Sequence, residues 1–301
     1  MKTPYILFAI MRKLFIISGG LTNDFISWVI SFFRPFTTPQ NQTGVLGHLT
    51  AQDVQKISSE IEEKGYYVFD SKLSEDAISD LVNLATKSDC IPCKTSKKVK
   101  FGEEPGYPRY DLEPNNLVKN KTVCGLVSDE TLRGIAGTYL KSTPICDLIV
   151  MWWSLPATQK ISEAAQMYHF DMDRFKFLKF FFYLTDVDEN TGPHCFVEGS
   201  HLNVPLRLRR DGRFTDEQIE SLYGTEKIKK FMGKKGTILA VDTRGFHKGE
   251  KLNHCNRLIF QLEFSNSLFG MNYPYLDKKN INPDYLETFN KYPSTYLRIF
   301  K

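Results

Sequence analysis

The sequence has no uninterrupted apolar run of the length that a membrane-spanning helix needs. Residues 5–33 are strongly apolar, but Arg12 and Lys13, and then Asn23 and Asp24, divide them into runs of seven to nine residues. A spanning helix needs about 20 consecutive apolar residues. A secretory signal also fits poorly, since no small-residue cleavage site follows a single apolar core. Two interpretations are left: a segment packed on the domain, which we favour, or an amphipathic segment on a membrane surface.

Cysteines in metal-binding or redox spacing are scarce. Of the six cysteines, only Cys90 and Cys93 form a C-x-x-C pair. A lone pair of this kind, without a second pair, is weak evidence for zinc binding or redox work. We therefore expect reduced thiols, as in a cytosolic protein.

A large excess of charge of one sign is also missing. The chain has 39 Lys and Arg against 35 Asp and Glu, a net charge of +4, which is too small to argue for a nucleic-acid partner. Basic residues do cluster at 94–100, 207–213 and 227–235. Such clusters are usually solvated faces, and the alternative is that they bind an anionic substrate or a lipid headgroup.

The organisation of the chain indicates one large domain behind the apolar segment. We expect residues 1–45 to form that segment, packed or on a membrane surface, and residues 46–301 to form a single domain. Helices are predicted after Thr50 and Ser74, because both are N-cap residues followed by apolar side chains at helical spacing.

The second half of the chain is typical of an antiparallel β structure. Residues 89–120 read as long loops, and 145–264 read as short strands separated by turns, with one helical interruption over 215–232. This pattern favours a sandwich or barrel. We predict a mainly β protein with flanking helices and a double-stranded β-helix, or jelly-roll, core.

Candidate metal ligands stand at the start of an aromatic strand. In "YHFDMD" (168–173), His169 and Asp171 project to the same side of an extended chain while Phe170 points away. Of the other histidines, His247 is the best third ligand, since it follows a strand and a turn. Arg257 comes ten residues later, on the polar face of an alternating strand.

Two histidines, one carboxylate and an arginine ten residues after the second histidine form a specific combination. Such a facial triad leaves positions open on Fe(II), where a 2-oxo acid and O2 can bind. Arginine can pair with the far carboxylate of that acid in a bidentate geometry. The residues thus predict His169, Asp171 and His247 as metal ligands and Arg257 as a co-substrate ligand.

The two segments that carry these residues resemble the phytanoyl-CoA dioxygenase family of iron(II)/2-oxoglutarate-dependent oxygenases. They are "YHFDMDRFKFLKFFFYLTDVDENTGPHCFVEGSH" (168–201) and "TRGFHKGEKLNHCNRLIFQLEF" (243–264). The resemblance implies that His169, Asp171 and His247 hold iron, that Arg257 holds 2-oxoglutarate, and that O2 is the oxidant. It also implies hydroxylation, because halogenating relatives have a small residue in place of Asp171.

Further site residues are expected around the metal ligands and Arg257. The family often has Ser or Thr at the position of Gly249, so a second 2-oxoglutarate contact must come from elsewhere, and Trp153 on the strand that contains "MWW" is our candidate. Candidate substrate contacts are Arg109, Tyr110 and His201, although His201 is more typical of a turn anchor. Asp173 is expected to be a solvated or loop-anchoring acid.

Three alternatives stay open at this stage. His169 and Asp171 could form a structural hydrogen-bonded pair. The chain could be a cupin-like metalloenzyme that does not use O2, although such an enzyme has no need of Arg257. It could also be a catalytically silent jelly-roll module that binds, for example, a glycan.

The substrate is not specified by the sequence, because the family acts on fatty acyl, amino acid, alkaloid and sugar substrates. The apolar N-terminal segment and the basic clusters favour an anionic amphipathic substrate near a membrane, such as a lipid-linked sugar of the Kdo type. We therefore expect a cytoplasmic protein with peripheral membrane contact through residues 5–33 and no nucleic-acid partner.

Overall fold

A computed structural model describes residues 2–104, 106–156, 166–202 and 204–301. Its helices are Tyr5–Ser18 (α1), Leu21–Phe33 (α2), Ala51–Lys64 (α3), Glu75–Lys87 (α4), Pro114–Leu117 (α5), Lys121–Val127 (α6), Glu130–Leu140 (α7), Asp216–Tyr223 (α8), Leu286–Lys291 (α9) and Pro293–Tyr296 (α10). Its strands are Asn41–Gly44 (β1), Gly47–Thr50 (β2), Tyr66–Lys72 (β3), Asp89–Pro92 (β4), Val99–Lys100 (β5), Arg109–Leu112 (β6), Ile145–Ser154 (β7), Phe177–Tyr183 (β8), His194–Val197 (β9), Ile228–Phe231 (β10), Thr237–Val241 (β11), His247–Gly249 (β12) and Arg257–Ser265 (β13).

Two antiparallel sheets form the predicted jelly-roll core. The large sheet has the strand order β3-β11-β8-β13-β7-β6-β4-β5, and the small sheet has the order β10-β9-β12. Helices α3, α4, α6 and α7 contribute buried apolar residues to the core on one face of the large sheet. The other face of the large sheet and the small sheet share a second apolar cluster. The space between the two sheets is where the functional site lies.

Strand β13 shows how the sequence pattern sorts residues between these faces. Leu258, Phe260, Leu262 and Phe264 belong to the helix-covered core. Arg257, Ile259 and Gln261 line the cavity between the sheets. The alternation of the sequence therefore predicts correctly which side chains of this strand face inward.

The structure corrects two segments of the secondary-structure prediction. Residues 89–120 contain strands β4, β5 and β6 and helix α5, where long loops were expected. In the segment 215–232, where helix was expected throughout, the helix ends at Tyr223 and residues Ile228–Phe231 form β10, which pairs with β9. These strands have two to four residues, which is too short for a periodicity of two to be detected, and their pairing with neighbouring strands decides their conformation.

Helices α1 and α2 pack on the domain by one side. Met11, Phe15, Asn23 and Ser27 are buried on that side. Arg244 of the domain donates to Asp24 at 2.7 Å, which ties α2 to the turn after β11. None of the described helices is by itself long and apolar enough to cross a membrane; α1 and α2 reach that length and composition only together, and they meet at an angle of 116°.

Candidate metal centre

Three predicted ligands meet at one end of the cavity between the sheets. The ligand atoms of His169, Asp171 and His247 all lie within 4.8 Å of one another. The Nε2 atom of His247 is 3.5 Å from one Asp171 oxygen, and Nε2 of His169 is 3.9 Å from the other. In the described part of the chain, no other group of three or more histidine, cysteine or acidic side chains is compact enough to hold a metal ion.

The main chain sets the distance between the two histidines. His169 and His247 exchange both backbone hydrogen bonds, with N–O distances of 3.0 and 2.8 Å, and the amide of Asp171 donates to the carbonyl of Thr243. Phe170 points the other way and packs against Phe15 of α1. The predicted alternation of this segment is thus present, although only isolated bridges, and no continuous strand, carry it.

Both imidazoles present the nitrogen that a metal needs. Nδ1 of His169 lies 3.0 Å from the carbonyl oxygen of Met167, and Nδ1 of His247 lies 3.0 Å from that of Gly245. A carbonyl oxygen can only accept, so each Nδ1 carries the proton and each Nε2 keeps a lone pair. Burial lowers the pKa of His169 to about 3 and also lowers the pKa of His247, which keeps both rings neutral.

A buried lysine holds the carboxylate ligand from behind. The ammonium of Lys179 donates to Asp171 at 2.7 Å and to Asp173 at 2.9 Å, and lies 3.4 Å from Glu263. Burial alone raises the pKa of Asp171, but the charge of Lys179 outweighs it and the pKa is lowered. Asp173 therefore anchors the segment through Lys179, as the loop-anchoring interpretation predicts. One oxygen of Asp171 is engaged by Lys179 and the other is left for a metal.

The cavity that contains the triad has a volume of about 600 Å³ and also contains Arg257. This guanidinium is buried and donates to the hydroxyl of Ser154 at 3.4 Å, while its Nε has no hydrogen-bond partner among the described residues. Burial lowers the pKa of Arg257 to about 10. The described part of the chain supplies no carboxylate within ion-pair distance of it, so the cavity has a buried cation without an anion, which is costly.

His194 is a site residue that the sequence analysis missed. It lies on β9 with its ring stacked 5.4 Å from that of His247, and it lines the same cavity. Its Nε2 is buried and has no hydrogen-bond partner among the described residues. Ser154 was missed too. With Arg257, these two residues offer polar atoms suited to the carboxylates of a 2-oxo acid, so the donor set fits iron and 2-oxoglutarate.

Of the remaining predicted site residues, Arg109 lines the cavity and Trp153 does not. Arg109 lines the cavity, stacks over Trp152 and pairs with Asp111. Trp153 does not line it, because its ring stacks on Phe101 on the opposite face of β7. At this end of β7, Trp152 and Ser154 line the cavity instead. The prediction for Trp153 assigned the wrong face of the strand.

Tyr110 and His201 also lie away from the cavity. Tyr110 faces the core, next to Phe101, and donates to the carbonyl of Glu104. His201 is hydrogen bonded through Nε2 to the carbonyl of Glu62 and lines a separate cavity beneath α2. The turn-anchor interpretation describes His201 better than the substrate-contact interpretation.

Comparison with known families places most of the chain in one of them. The family model described as phytanoyl-CoA dioxygenase matches residues 45–256, which is well over half of the chain. A search of curated proteins gave no match.

Solved structures share the fold at low sequence identity. EctD from S. alaskensis with bound Fe has 17% identity and a TM-score of 0.52, over 80% of this chain and 88% of that one. HygX from Streptomyces hygroscopicus, with nickel and 2-oxoglutarate bound, has 12% identity and a TM-score of 0.51, over 76% and 92%. SnoN, a non-heme alpha ketoglutarate dependent epimerase from nogalamycin biosynthesis, has 15% and 0.51, over 70% and 82%. At such identities the similarity establishes the jelly-roll fold.

Proposed function

The chain belongs to the phytanoyl-CoA dioxygenase family, and from this we propose that it is an iron(II)- and 2-oxoglutarate-dependent dioxygenase that hydroxylates an unactivated C–H bond of a small molecule. The observation that carries the proposal is the pairing of a His169–Asp171–His247 ligand set with a buried, anion-free guanidinium in one cavity. A cupin-like enzyme without O2 has no use for Arg257.

The residues of the cavity have separate roles in this proposal. His169, Asp171 and His247 would hold iron, and Arg257, with Ser154 and His194 beside it, would hold the carboxylates of 2-oxoglutarate. Bound iron and 2-oxoglutarate supply the means to reduce O2 and replace C–H by C–OH, with succinate and CO2 as co-products. Trp152, Phe181 and Ile259 supply apolar walls to this region.

Asp171 supports hydroxylation rather than halogenation. Its carboxylate fills the third ligand position, and Lys179 holds it there, so no room is left for a halide at that position. The SnoN neighbour is an epimerase, which shows that the fold also serves reactions that do not end in hydroxylation. The product therefore has to be identified by experiment.

For the substrate we propose an anionic amphipathic molecule at the cytoplasmic face of a membrane, such as a lipid-linked sugar of the Kdo type, reached with peripheral contact through residues 5–33. The exposed apolar side chains of this segment and the basic cluster at 207–213 support the proposal. HygX has been crystallised with hygromycin B, a property of that protein which says nothing direct about this substrate.

The test of the chemistry uses the purified full chain. Anaerobic addition of Fe(II) and 2-oxoglutarate is expected to give a weak visible absorption band, and admission of O2 is expected to give succinate. His169→Ala should abolish both signals. The matched control is His254→Ala, because His254 is exposed and lies outside the cavity. Absence of band and succinate in the native chain, or equal behaviour of His169→Ala, would refute the proposal.

The product is sought in a strain that lacks the gene. Profiling of metabolites and lipids is expected to show the loss of a species that is one oxygen atom heavier than an accumulated precursor. Succinate formation without any oxygenated product would contradict hydroxylation and leave another oxidative reaction of the family.

A further inference from the structure

Exposed apolar side chains recur at helical spacing along α1 and α2. We define the apolar surface as the exposed residues Tyr5, Ile6, Leu7, Ile10, Leu14, Ile17, Leu21, Phe25, Trp28, Phe32 and Phe33. Most of the large apolar side chains that the described residues expose belong to it. Single exposed apolar residues are ordinary on a protein surface, whereas a contiguous patch of this size marks an interaction site.

The apolar surface is not the unfilled half of the protein's own core. The opposite side of each helix is already packed, with Met11 and Phe15 buried on α1 and Asn23 and Ser27 buried on α2. Polar contacts also fix the pair to the domain, since Arg12 pairs with Asp211 and Arg244 pairs with Asp24. The helices are thus held with their most apolar side outward.

The dimensions of the helices suit a membrane surface better than a membrane span. Each has 13 or 14 residues, which is about 20 Å of helix at 1.5 Å per residue. A hydrocarbon core is about 30 Å thick. On α2, Phe25, Trp28 and Phe32 form a row of contacting rings, and tryptophan favours the boundary between headgroups and acyl chains.

A basic cluster lies beside the turn between the two helices. Arg209 donates to the carbonyl of Ile17, and the amide of Val204 donates to the carbonyl of Gly19, so the segment 204–213 is joined to this turn. Arg207 and Arg210 in this segment and Lys13 on α1 are exposed. Exposed Leu206 adds an apolar side chain at the same place. Basic residues around an apolar face match a bilayer that contains anionic lipids.

Helix α1 also borders a passage to the metal centre. Phe8 and Arg12 line a cavity of about 290 Å³ together with His169, Asp171 and Arg213. One side of α1 therefore packs on the domain, a second is the apolar surface, and a third adjoins the ligand set. A bilayer in contact with the apolar surface would therefore meet the same helix that lines this cavity.

We propose that the apolar surface docks the protein on an anionic lipid bilayer and that the cavity between α1 and the ligand set receives the headgroup of a lipid held in that bilayer. The second half of this proposal rests on the proposed oxygenase function. The first half does not, because docking can be measured without turnover.

Docking is tested by sedimentation of the full chain with sucrose-loaded vesicles of phosphatidylcholine, with and without phosphatidylglycerol. Binding is expected with phosphatidylglycerol and is expected to weaken in salt. Replacing Phe25, Trp28 and Phe32 by serine should lower the partition coefficient at least about tenfold. Arg207→Glu with Arg210→Glu should lower binding to the anionic vesicles only.

The matched control replaces exposed apolar residues outside the apolar surface, as Val68→Thr with Met232→Gln, and should bind like the native chain. No sedimentation of the native chain, or an equal loss in this control, would overturn the proposal. A third result would also overturn it: the native chain is a dimer in light scattering, the triple serine variant is a monomer, and neither binds vesicles. The apolar surface would then join two copies of the chain.

Trp28 reports directly on the contacting face. The chain has three tryptophans, of which Trp28 is exposed and Trp152 and Trp153 are buried. Vesicles of phosphatidylcholine brominated on the acyl chain, mixed with phosphatidylglycerol, should quench its fluorescence on contact. The Trp28→Phe variant should still bind but show no quenching. Binding of the native chain without quenching would overturn the assignment of this face.

The headgroup half is tested with vesicles made from the total lipid of the organism that carries the chain. Such vesicles should raise succinate formation above the rate without lipid, and the triple serine variant should lose the increase but keep the rate without lipid. No increase, or an equal increase in the variant, would overturn this half. Docking without any succinate would contradict the oxygenase function, whereas succinate without docking would contradict only the inference.

Discussion

Lys179 is the charged residue of the otherwise apolar and aromatic strand β8, and it joins three acids at the metal centre. Replacing it by methionine removes the cation that Asp171, Asp173 and Glu263 share. We expect the affinity for Fe(II) to fall about 10- to 100-fold, as is typical when a group that orients a ligand is lost. Anaerobic titration with Fe(II) measures this change.

Lys176→Met is the control for Lys179, because Lys176 is a half-buried lysine of the same segment. It donates to the carbonyl of Tyr139 and does not line the metal-site cavity. We expect its iron affinity to equal that of the native chain. An unchanged affinity in Lys179→Met would show that Asp171 needs no positioning by Lys179.

Arg257 is expected to serve the co-substrate and not the metal. The Arg257→Met variant should weaken 2-oxoglutarate binding by at least about 2 kcal/mol, or more than tenfold, since it removes one partner of a buried charge pair. Its Fe(II) affinity should stay the same because the guanidinium is not a ligand. Titration of the visible band with 2-oxoglutarate separates the two effects, and a loss of iron affinity would contradict this assignment.

At the scale of single residues, the alternation of side chains between the two faces of a strand explains which predictions were right. His169, Asp171 and Arg257 were predicted correctly as inward-facing, because alternation with apolar neighbours marks their faces. Trp153 was assigned to the wrong face, since a strand buried on both sides shows no polar alternation and a shift of one residue reverses the face. The lysine within "FLKFFFY" was a signal of a buried ion pair that could have been used.

Between elements, Arg244 links the turn after β11 to α2 and α7. It pairs with Asp242 and Asp24, and Tyr139 of α7 donates to Asp242. Burial alone raises the pKa of Asp242, but the Arg244 guanidinium lowers it to about 2. A carboxylate whose pKa is lower in the folded chain stabilises the fold above its unfolded pKa, near 4, and this stabilisation is lost as the pH falls toward 2.

This linkage predicts a pH-dependent difference between the native chain and Asp242→Asn. The native chain should have the larger free energy of unfolding near neutral pH, and the difference should shrink by roughly 2 kcal/mol as the pH is lowered from about 5 to about 2. Urea unfolding at a series of pH values measures it. A difference that is constant with pH would mean that Asp242 does not titrate in this way.

Element boundaries were predictable where local signals are strong. The capping box of Thr50 and Asp53 starts α3 as predicted, and Ser74 caps α4. Strands β4, β5, β6 and β10 were not predictable, because partners distant in sequence determine them. His194 was missed for the same reason: its role depends on the pairing of β9 with β12, which no local pattern reveals.

On the scale of the whole molecule, the N-terminal helices support the metal centre as well as exposing the apolar surface. Phe15 of α1 packs at 5.5 Å against Phe170, the residue between two of the ligands. Deleting residues 1–34 should therefore lower both the unfolding temperature and the Fe(II) affinity, in addition to removing vesicle binding. Thermal unfolding and iron titration measure these effects.

The triple serine variant of α2 is the comparison for that deletion. Its substitutions lie on the exposed side, so its Fe(II) affinity and unfolding temperature should match the native chain. A deletion that loses vesicle binding alone would show that α1 does not support the ligand set. The sequence favoured a packed segment over one on a membrane surface, and the structure packs one side of the helix pair while its other side exposes apolar residues.

The contact between Lys179 and Asp171 has a consequence for how easily the reaction could change. With Asp171 replaced by glycine, the ammonium of Lys179, 2.7 Å from the carboxylate in the native chain, would lose one of its three acidic partners and face an empty ligand position. We expect this variant to recruit bromide or chloride, seen as stabilisation against heat by halide that Lys179→Met in the same background removes. In that case a single codon change would be enough to turn a hydroxylating enzyme into one that binds a halide, because Lys179 already supplies the positive charge that the halide needs.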